Sequence, residues 1–252
     1  MAEPASHDSS QPLIQLRALS KAYDLRPVLK RIDLDIGRGE CVALLGANGS
    51  GKSTLLRLLA GMTKPSGGAI SVGGWDIPRE ASAVRAQIGL VSHKPLLYDN
   101  LSARENLRFF ARLYNIESDE RERRIESLLG RVGLARRADD RVRTFSRGMQ
   151  QRLSIARALV HDPAVVLLDE PYTGLDQEGA SMLDAVIAES YAAGRTLILT
   201  THELERAARI AQRTLILARG QIGYDAPTAE TDALGLIRLF GEVTGMTRER
   251  ER

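Results

Sequence analysis

Residues 46–54 read Gly-Ala-Asn-Gly-Ser-Gly-Lys-Ser-Thr and fill the pattern G-x-x-x-x-G-K-[ST]. The run lies between a short apolar stretch, 41–45, and a helix-compatible one, 52–60. Strand, loop and helix in that order mark a phosphate-binding loop and set aside an ordinary glycine-rich turn. Gly46, Gly49 and Gly51 take backbone angles closed to other residues. Main-chain N–H groups along Gly46, Ala47, Asn48, Gly49, Ser50 and Gly51 can therefore turn inward on a triphosphate. The helix that follows points its positive end at the same anion. Lys52 is expected at the β- and γ-phosphates and Ser53 on Mg²⁺ through its hydroxyl, with Thr54 beside them.

A chain of 252 residues with 43% hydrophobic content can bury a large core, as one domain carrying a lobe. No apolar stretch approaches the ~18 residues of a membrane span, and the polar first ten residues lack the layout of a signal peptide. The expected location is therefore the cytoplasm. Cys41, the only cysteine, sits in Cys41-Val42-Ala43-Leu44-Leu45 and reads as a small buried side chain. The formal charge of +3 comes from arginines scattered among acids. In Asp119-Glu120-Arg121-Glu122-Arg123-Arg124 the signs interleave as on a solvated helix face, so no direct contact with nucleic acid is expected.

Residues 1–11 read as a disordered tail. Apolar runs at 13–18, 31–36, 41–45 and 69–73 predict strands of a β-rich opening, and 88–91 predicts another. Helical spacing over 102–115, 118–131 and 147–161 predicts an α-helical lobe. Strands at 164–168, 196–200 and 214–218 then alternate with helices near 177–193 and 203–210, and a last helix is predicted around 227–246. Such alternation implies an α/β fold with a mostly parallel sheet covered on both faces. Three segments follow: the tail 1–11, a nucleotide-binding unit over 12–226 with the helical subdomain 92–161 inserted, and a C-terminal helix with a frayed end over 227–252.

Hydrolysis of a bound triphosphate needs groups to order Mg²⁺ and align a water, and carboxylates suit both tasks. Val165-Val166-Leu167-Leu168-Asp169-Glu170 supplies two at the end of a buried strand. Ligands of parallel sheets sit at the carboxyl ends of strands. Asp169 is accordingly assigned to the Mg²⁺ shell and Glu170 to the attacking water.

With these motifs in place, the chain resembles the nucleotide-binding subunit of an ABC transporter. Phe145-Ser146-Arg147-Gly148-Met149-Gln150-Gln151-Arg152 resembles that family's signature, normally Leu-Ser-Gly-Gly-Gln. The resemblance implies a P-loop NTPase core with an antiparallel β subdomain and an inserted α-helical one. It also implies that Ser146 and Gly148 contact the γ-phosphate of an ATP held by a second ATP-binding subunit, a homodimer or close paralogue pair. Thr173-Gly174-Leu175-Asp176 matches the D-loop, where Asp176 would communicate across the pair. His202, in Thr200-Thr201-His202-Glu203, matches the histidine that contacts the γ-phosphate, and Tyr23 the aromatic that stacks on adenine.

Two departures stand out. Arg147 and Met149 replace a signature glycine and glutamine, and His93, in Ser92-His93-Lys94-Pro95, replaces the Q-loop glutamine that couples the site to the membrane partner. His93 is expected to couple rather than catalyse. The stretches 92–98, 101–107 and 110–114 resemble the ATP-binding subunit of haem exporters of the cytochrome c maturation type and their multidrug-like relatives. The resemblance implies an ATPase on the cytoplasmic face of the membrane, powering export through an integral permease docked on the helical subdomain. Two other readings use the same motifs: a soluble ABC ATPase acting on ribosomes or nucleic acid, and a regulatory ATP-binding module that does not turn over. The first usually fuses two copies or splits its motifs around a coiled coil, and intact Asp169, Glu170 and His202 speak against the second.

Overall fold

The computed structural model describes residues 12–92 and 94–245. Along the chain come β1 (Ile14–Tyr23), β2 (Arg26–Ile36), β3 (Cys41–Leu45), α1 (Lys52–Leu59), β4 (Gly67–Val72), β5 (Trp75–Ile77), α2 (Ala81–Gln87), β6 (Ile88–Val91), α3 (Ala103–Leu113), α4 (Ser118–Arg131) and α5 (Arg147–Leu159). Then follow β7 (Val165–Asp169), α6 (Gln177–Ala192), β8 (Thr196–Thr200), α7 (Leu204–Ile210), β9 (Arg213–Ala218), β10 (Gln221–Pro227) and α8 (Ala233–Thr244).

The runs β3, β7 and β8 are buried at every position, as strands covered on both faces must be. They form the middle of a six-stranded sheet ordered β10-β9-β3-β8-β7-β6, parallel except for the β9–β10 hairpin. A separate antiparallel sheet has the order β2-β1-β4-β5. Side chains alternate across a strand, and the two faces feed two distinct cores. Cys41, Ala43, Leu45, Val166, Leu168, Leu197 and Leu199 pack with α3, α4, α5 and α6. Val42, Leu44, Val165, Leu167 and Ile198 pack with α1 and the antiparallel sheet. This is the expected α/β architecture with its antiparallel and helical additions. Burial drives the Cys41 thiol up to about 12, in keeping with an unreactive core position.

Within the helical region, Ser102 and Glu105 close a reciprocal capping box at the start of α3. The charges of α3 and α4 are paired: Arg108 with Glu122, Arg104 with Glu126, and Arg123 and Arg124 with Glu120. Helix α5 lies hard against β6, where a Cβ at Gly89 would fall 2.2 Å from the Ala158 carbonyl oxygen.

Two expected bounds are corrected, and two short elements are added. The second strand begins at Arg26, not 31, in a hairpin tightened by Asp24 in the left-handed region (φ 52°). Strand β5 and helix α2 carry no periodic signal and went unforeseen. The last helix starts at Ala233 rather than 227, because Pro227 still pairs with Arg213 as the end of β10 and Asp232 supplies the helix cap. The expected tail 1–11 and the frayed end beyond 245 lie outside the described residues.

Candidate nucleotide site

Strand β3 runs directly into the loop 46–51, whose backbone depends on glycine. Gly46 has φ 156° and Gly51 has φ 112°. A Cβ at Gly46 would lie 2.4 Å from the Leu217 carbonyl oxygen, and one at Gly51 2.7 Å from a Leu29 methyl. Helix α1 then starts with no side-chain cap and no acid in its first turn, leaving its first N–H groups open. The Ser50 hydroxyl is buried and lacks a hydrogen-bond partner among the described residues. An uncapped helix start beside an unpartnered buried hydroxyl suits an anion with several acceptor oxygens.

Lys52 is buried, and its Nζ donates to the carbonyl oxygens of Gly46 at 2.7 Å and Ala47 at 3.1 Å. Burial lowers its pKa below the usual lysine value, while the charges of Glu170 and Asp169 act in the opposite direction. Asn48, Gly49 and Ser53 are exposed, and Ala47 and Thr54 half-buried, along the open rim of the loop.

The ends of β7 and β8 close the site. Asp169 and Thr200 are in register across the two strands. The Thr200 hydroxyl donates to Asp169 Oδ1 at 3.0 Å and accepts the Glu170 N–H at 2.8 Å. The Ser53 hydroxyl donates to the same Asp169 oxygen at 3.0 Å. Two hard oxygen ligands thus stand side by side, and Mg²⁺ typically takes only one or two such groups from a protein and fills its remaining positions with phosphate and water. Glu170 sits in the left-handed region (φ 51°), and its Oε2 accepts from His202 Nδ1 at 3.0 Å. Lys52, Ser53, Asp169, Glu170 and His202 therefore lie together at the start of α1 and the ends of β7 and β8.

Ser146, Gly148 and Asp176 form a second, separate group. Ser146 caps α5 by accepting the Met149 N–H at 3.2 Å. Gly148 passes so near the D-loop that a Cβ there would lie 3.1 Å from the Gly174 carbonyl oxygen. Asp176 caps α6 through the Gly179 N–H at 2.8 Å and receives Arg152 Nη2 at 3.1 Å. Those two contacts, the Gly179 N–H first, hold its carboxyl below the ordinary aspartate range. No hydrogen bond among the described residues joins this group to the phosphate loop. Tyr23 ends β1 on the antiparallel sheet, half-exposed, with the Lys21 ammonium 4.8 Å from its ring centre. It makes no hydrogen bond to the loop, which the second strand touches through Val28 and Leu29 at Gly51. His93 lies outside the described residues.

Three contributors carry no signal in the sequence. Thr200 reads as an ordinary strand-forming residue, and only the β7–β8 register exposes its bridging role. Arg152, midway along α5, donates to the D-loop carboxylate of Asp176. Arg206 binds Asp184 and Glu203 and lies 4.3 Å from the Tyr172 ring centre, tethering the loop after β7 to α6 and α7. Burial and the Asp184 contact raise the Tyr172 phenol above its usual range.

The sequence pattern of the family described as "ABC transporter" matches residues 29–173. The chain is similar to Nod factor export ATP-binding protein I of Cupriavidus pinatubonensis (strain JMP 134 / LMG 1197), at 36% identity over 95% of this chain and 77% of that protein. A solved structure described as the ATP binding subunit of an ABC transporter matches with a TM-score of 0.86 and 32% identity, covering 92% of this chain and 99% of that one. A dimeric ATP-binding cassette in a post-hydrolysis state bound to ADP and Pi matches with a TM-score of 0.79 and 28% identity, over 85% and 98% of the two chains. The named relative exports Nod factor, so the expected link to haem and cytochrome c maturation gains no support from it. With the strand, loop and strand ends disposed as described, the chain belongs to the ABC transporter family, as an ATP-binding domain with ATPase activity.

Proposed function

We propose that the chain hydrolyses ATP as one of two like subunits and so drives export through a separate membrane subunit. The convergence of Glu170 and His202 beside Ser53 and Asp169, at the open start of α1, is the observation that carries this reading. The loop N–H groups and Lys52 receive the phosphates, Lys52 by leaving the Gly46 and Ala47 carbonyls. Ser53 and Asp169 are the residues to hold Mg²⁺, which when bound neutralises phosphate charge. Glu170 accepts a hydrogen bond from the attacking water, and His202 Nδ1–H fixes the carboxylate that does so. Water oxygen bonds to the γ-phosphorus as the bond to the β-phosphate oxygen breaks, giving ADP and phosphate.

Ser146, Gly148 and Asp176 lie apart from this cluster, so Ser146 and Gly148 are assigned to the γ-phosphate of an ATP held by the other subunit and Asp176 to communication across the pair, and the dimeric ADP-bound relative supports that assignment. Tyr23 is assigned to adenine stacking. Residues 12–226 act as the ATP-binding unit, with 92–161 as the inserted helical subdomain and 227–252 appended. Between α3, α5 and β6 runs a cavity of about 170 Å³ lined by Met62, Leu90, Leu96, Phe110 and Tyr114. This groove is assigned to the membrane subunit, with His93 coupling the two, and the chain is assigned to the cytoplasmic face of the membrane. No helix among the described residues is long and apolar enough to cross a membrane. A cargo handled as the Nod factor relative handles its own is the first to test.

Phosphate release by the purified chain is the decisive measurement. Activity per molecule is expected to rise with protein concentration and to fall by about a hundredfold or more in Glu170→Gln. Concentration-independent turnover would refute the paired site, and undiminished activity in Glu170→Gln would refute the catalytic assignment.

A further inference from the structure

The groove between α3, α5 and β6 has a charge imbalance. Arg157 of α5 lies along it with its guanidinium 5.3 Å from the Phe110 ring centre, and donates through Nη2 to the Leu90 carbonyl. Its Nε is buried and has no partner among the described residues. Burial pushes the guanidinium down to about 10, which still leaves it charged at neutral pH. Arg85 lines the same cavity, and among the described residues it donates only to the Gly61 carbonyl and no aspartate or glutamate lines the cavity.

The remaining polar group does not correct the balance. His161 stacks face to face on Tyr114, ring centres 3.8 Å apart. Its Nε2–H donates to the Ile88 carbonyl, while Nδ1 is buried without a partner. Burial, aided by the Arg157 charge, drives its pKa down to about 4, so it is neutral. The neighbouring Asp162 is taken by Arg195, outside the cavity. A partly buried cation that no carboxylate compensates is costly, and an incoming anion relieves that cost.

We propose that the segment docking in this groove is apolar and carries one carboxylate, which pairs with the Arg157 guanidinium. The proposal rests on the reading of the groove as the membrane subunit's seat, and adds the chemistry of the occupant. A carboxylate fits a guanidinium in a planar, two-point fashion that lysine would not reproduce. The apolar lining covers the rest of the segment.

The test is capture of the membrane subunit that the proposed function assigns to this chain, co-expressed and extracted in detergent with the full-length chain as bait. Arg157→Met, checked for folding by thermal unfolding, is expected to reduce affinity by about thirtyfold or more, and Arg157→Glu by more still. Because a buried substitution can disturb folding, the wild-type chain is also tested against partner variants in which each cytoplasmic Asp or Glu is neutralised in turn. One of these should match the Arg157→Met loss, and placing Arg at that position should restore capture by Arg157→Glu. Wild-type capture that survives every single neutralisation, or a folded Arg157→Met that captures normally, overturns the charge pairing alone. Failure of the wild-type chain to capture the subunit overturns the docking reading itself, and the pairing with it.

Discussion

The two groups of site residues are built on opposite plans. Around the phosphate loop, the Ser50 hydroxyl is unpartnered, the start of α1 is uncapped, and Lys52 rests on carbonyls it can exchange for a better acceptor. Around the signature and D-loop, Ser146 and Asp176 already cap α5 and α6, and Arg152 bridges them. The loop is poised for a ligand because the buried Ser50 hydroxyl has no partner among the described residues and the start of α1 has no side-chain cap. The second group is held in shape before any ligand arrives.

The largest expected effect separates chemistry from binding in the open region. Glu170→Gln should slow phosphate release by about 10²–10⁴-fold while leaving nucleotide affinity near wild type, as a fluorescent-nucleotide titration would reveal. Equal losses in both would mean that Glu170 serves binding. Lys52→Ala should weaken ATP by about 10- to 100-fold, the worth of a charge-assisted contact, measured by the same titration. Unchanged affinity there would erase the contrast between the two regions.

Thr200→Val probes the bridge at the strand ends. It strips the Glu170 N–H of its acceptor and should cost about 1–3 kcal/mol in chemical denaturation. On the preformed side, Ser146→Ala should cost ~1 kcal/mol of stability through the lost cap and leave ATP affinity of the single chain unchanged. The smallest effect belongs to Asp176. Its folded pKa lies below the ordinary 3.8, so its contribution is present above that pH and is lost as pH falls through the folded value. Asp176→Asn should therefore flatten the acid limb of a stability profile slightly, without moving it near neutrality.

The open region was far more legible in the sequence than the closed one. A phosphate loop carries its geometry in consecutive residues, and Val165-Val166-Leu167-Leu168-Asp169-Glu170 announces both the strand and its functional end. Thr200 and Arg152 stayed hidden because each acts through a residue more than twenty positions away, brought near only by the β7–β8 register or the packing of α5. Strand β5 and helix α2 are too short to display a period, and Pro227, which reads as the start of a helix, instead completes a hairpin. Local pattern reports the strands and the ligand loop, and long-range register decides the rest.

Glu170 adopts a left-handed backbone angle that costs a side-chain-bearing residue about 1 kcal/mol and glycine almost nothing. Glycine at this position would relax the turn after β7 and yield a sturdier protein unable to align a water. Folding and turnover thus disagree about the best residue there, and screens that select only for thermal resistance should drift toward inactive chains at position 170.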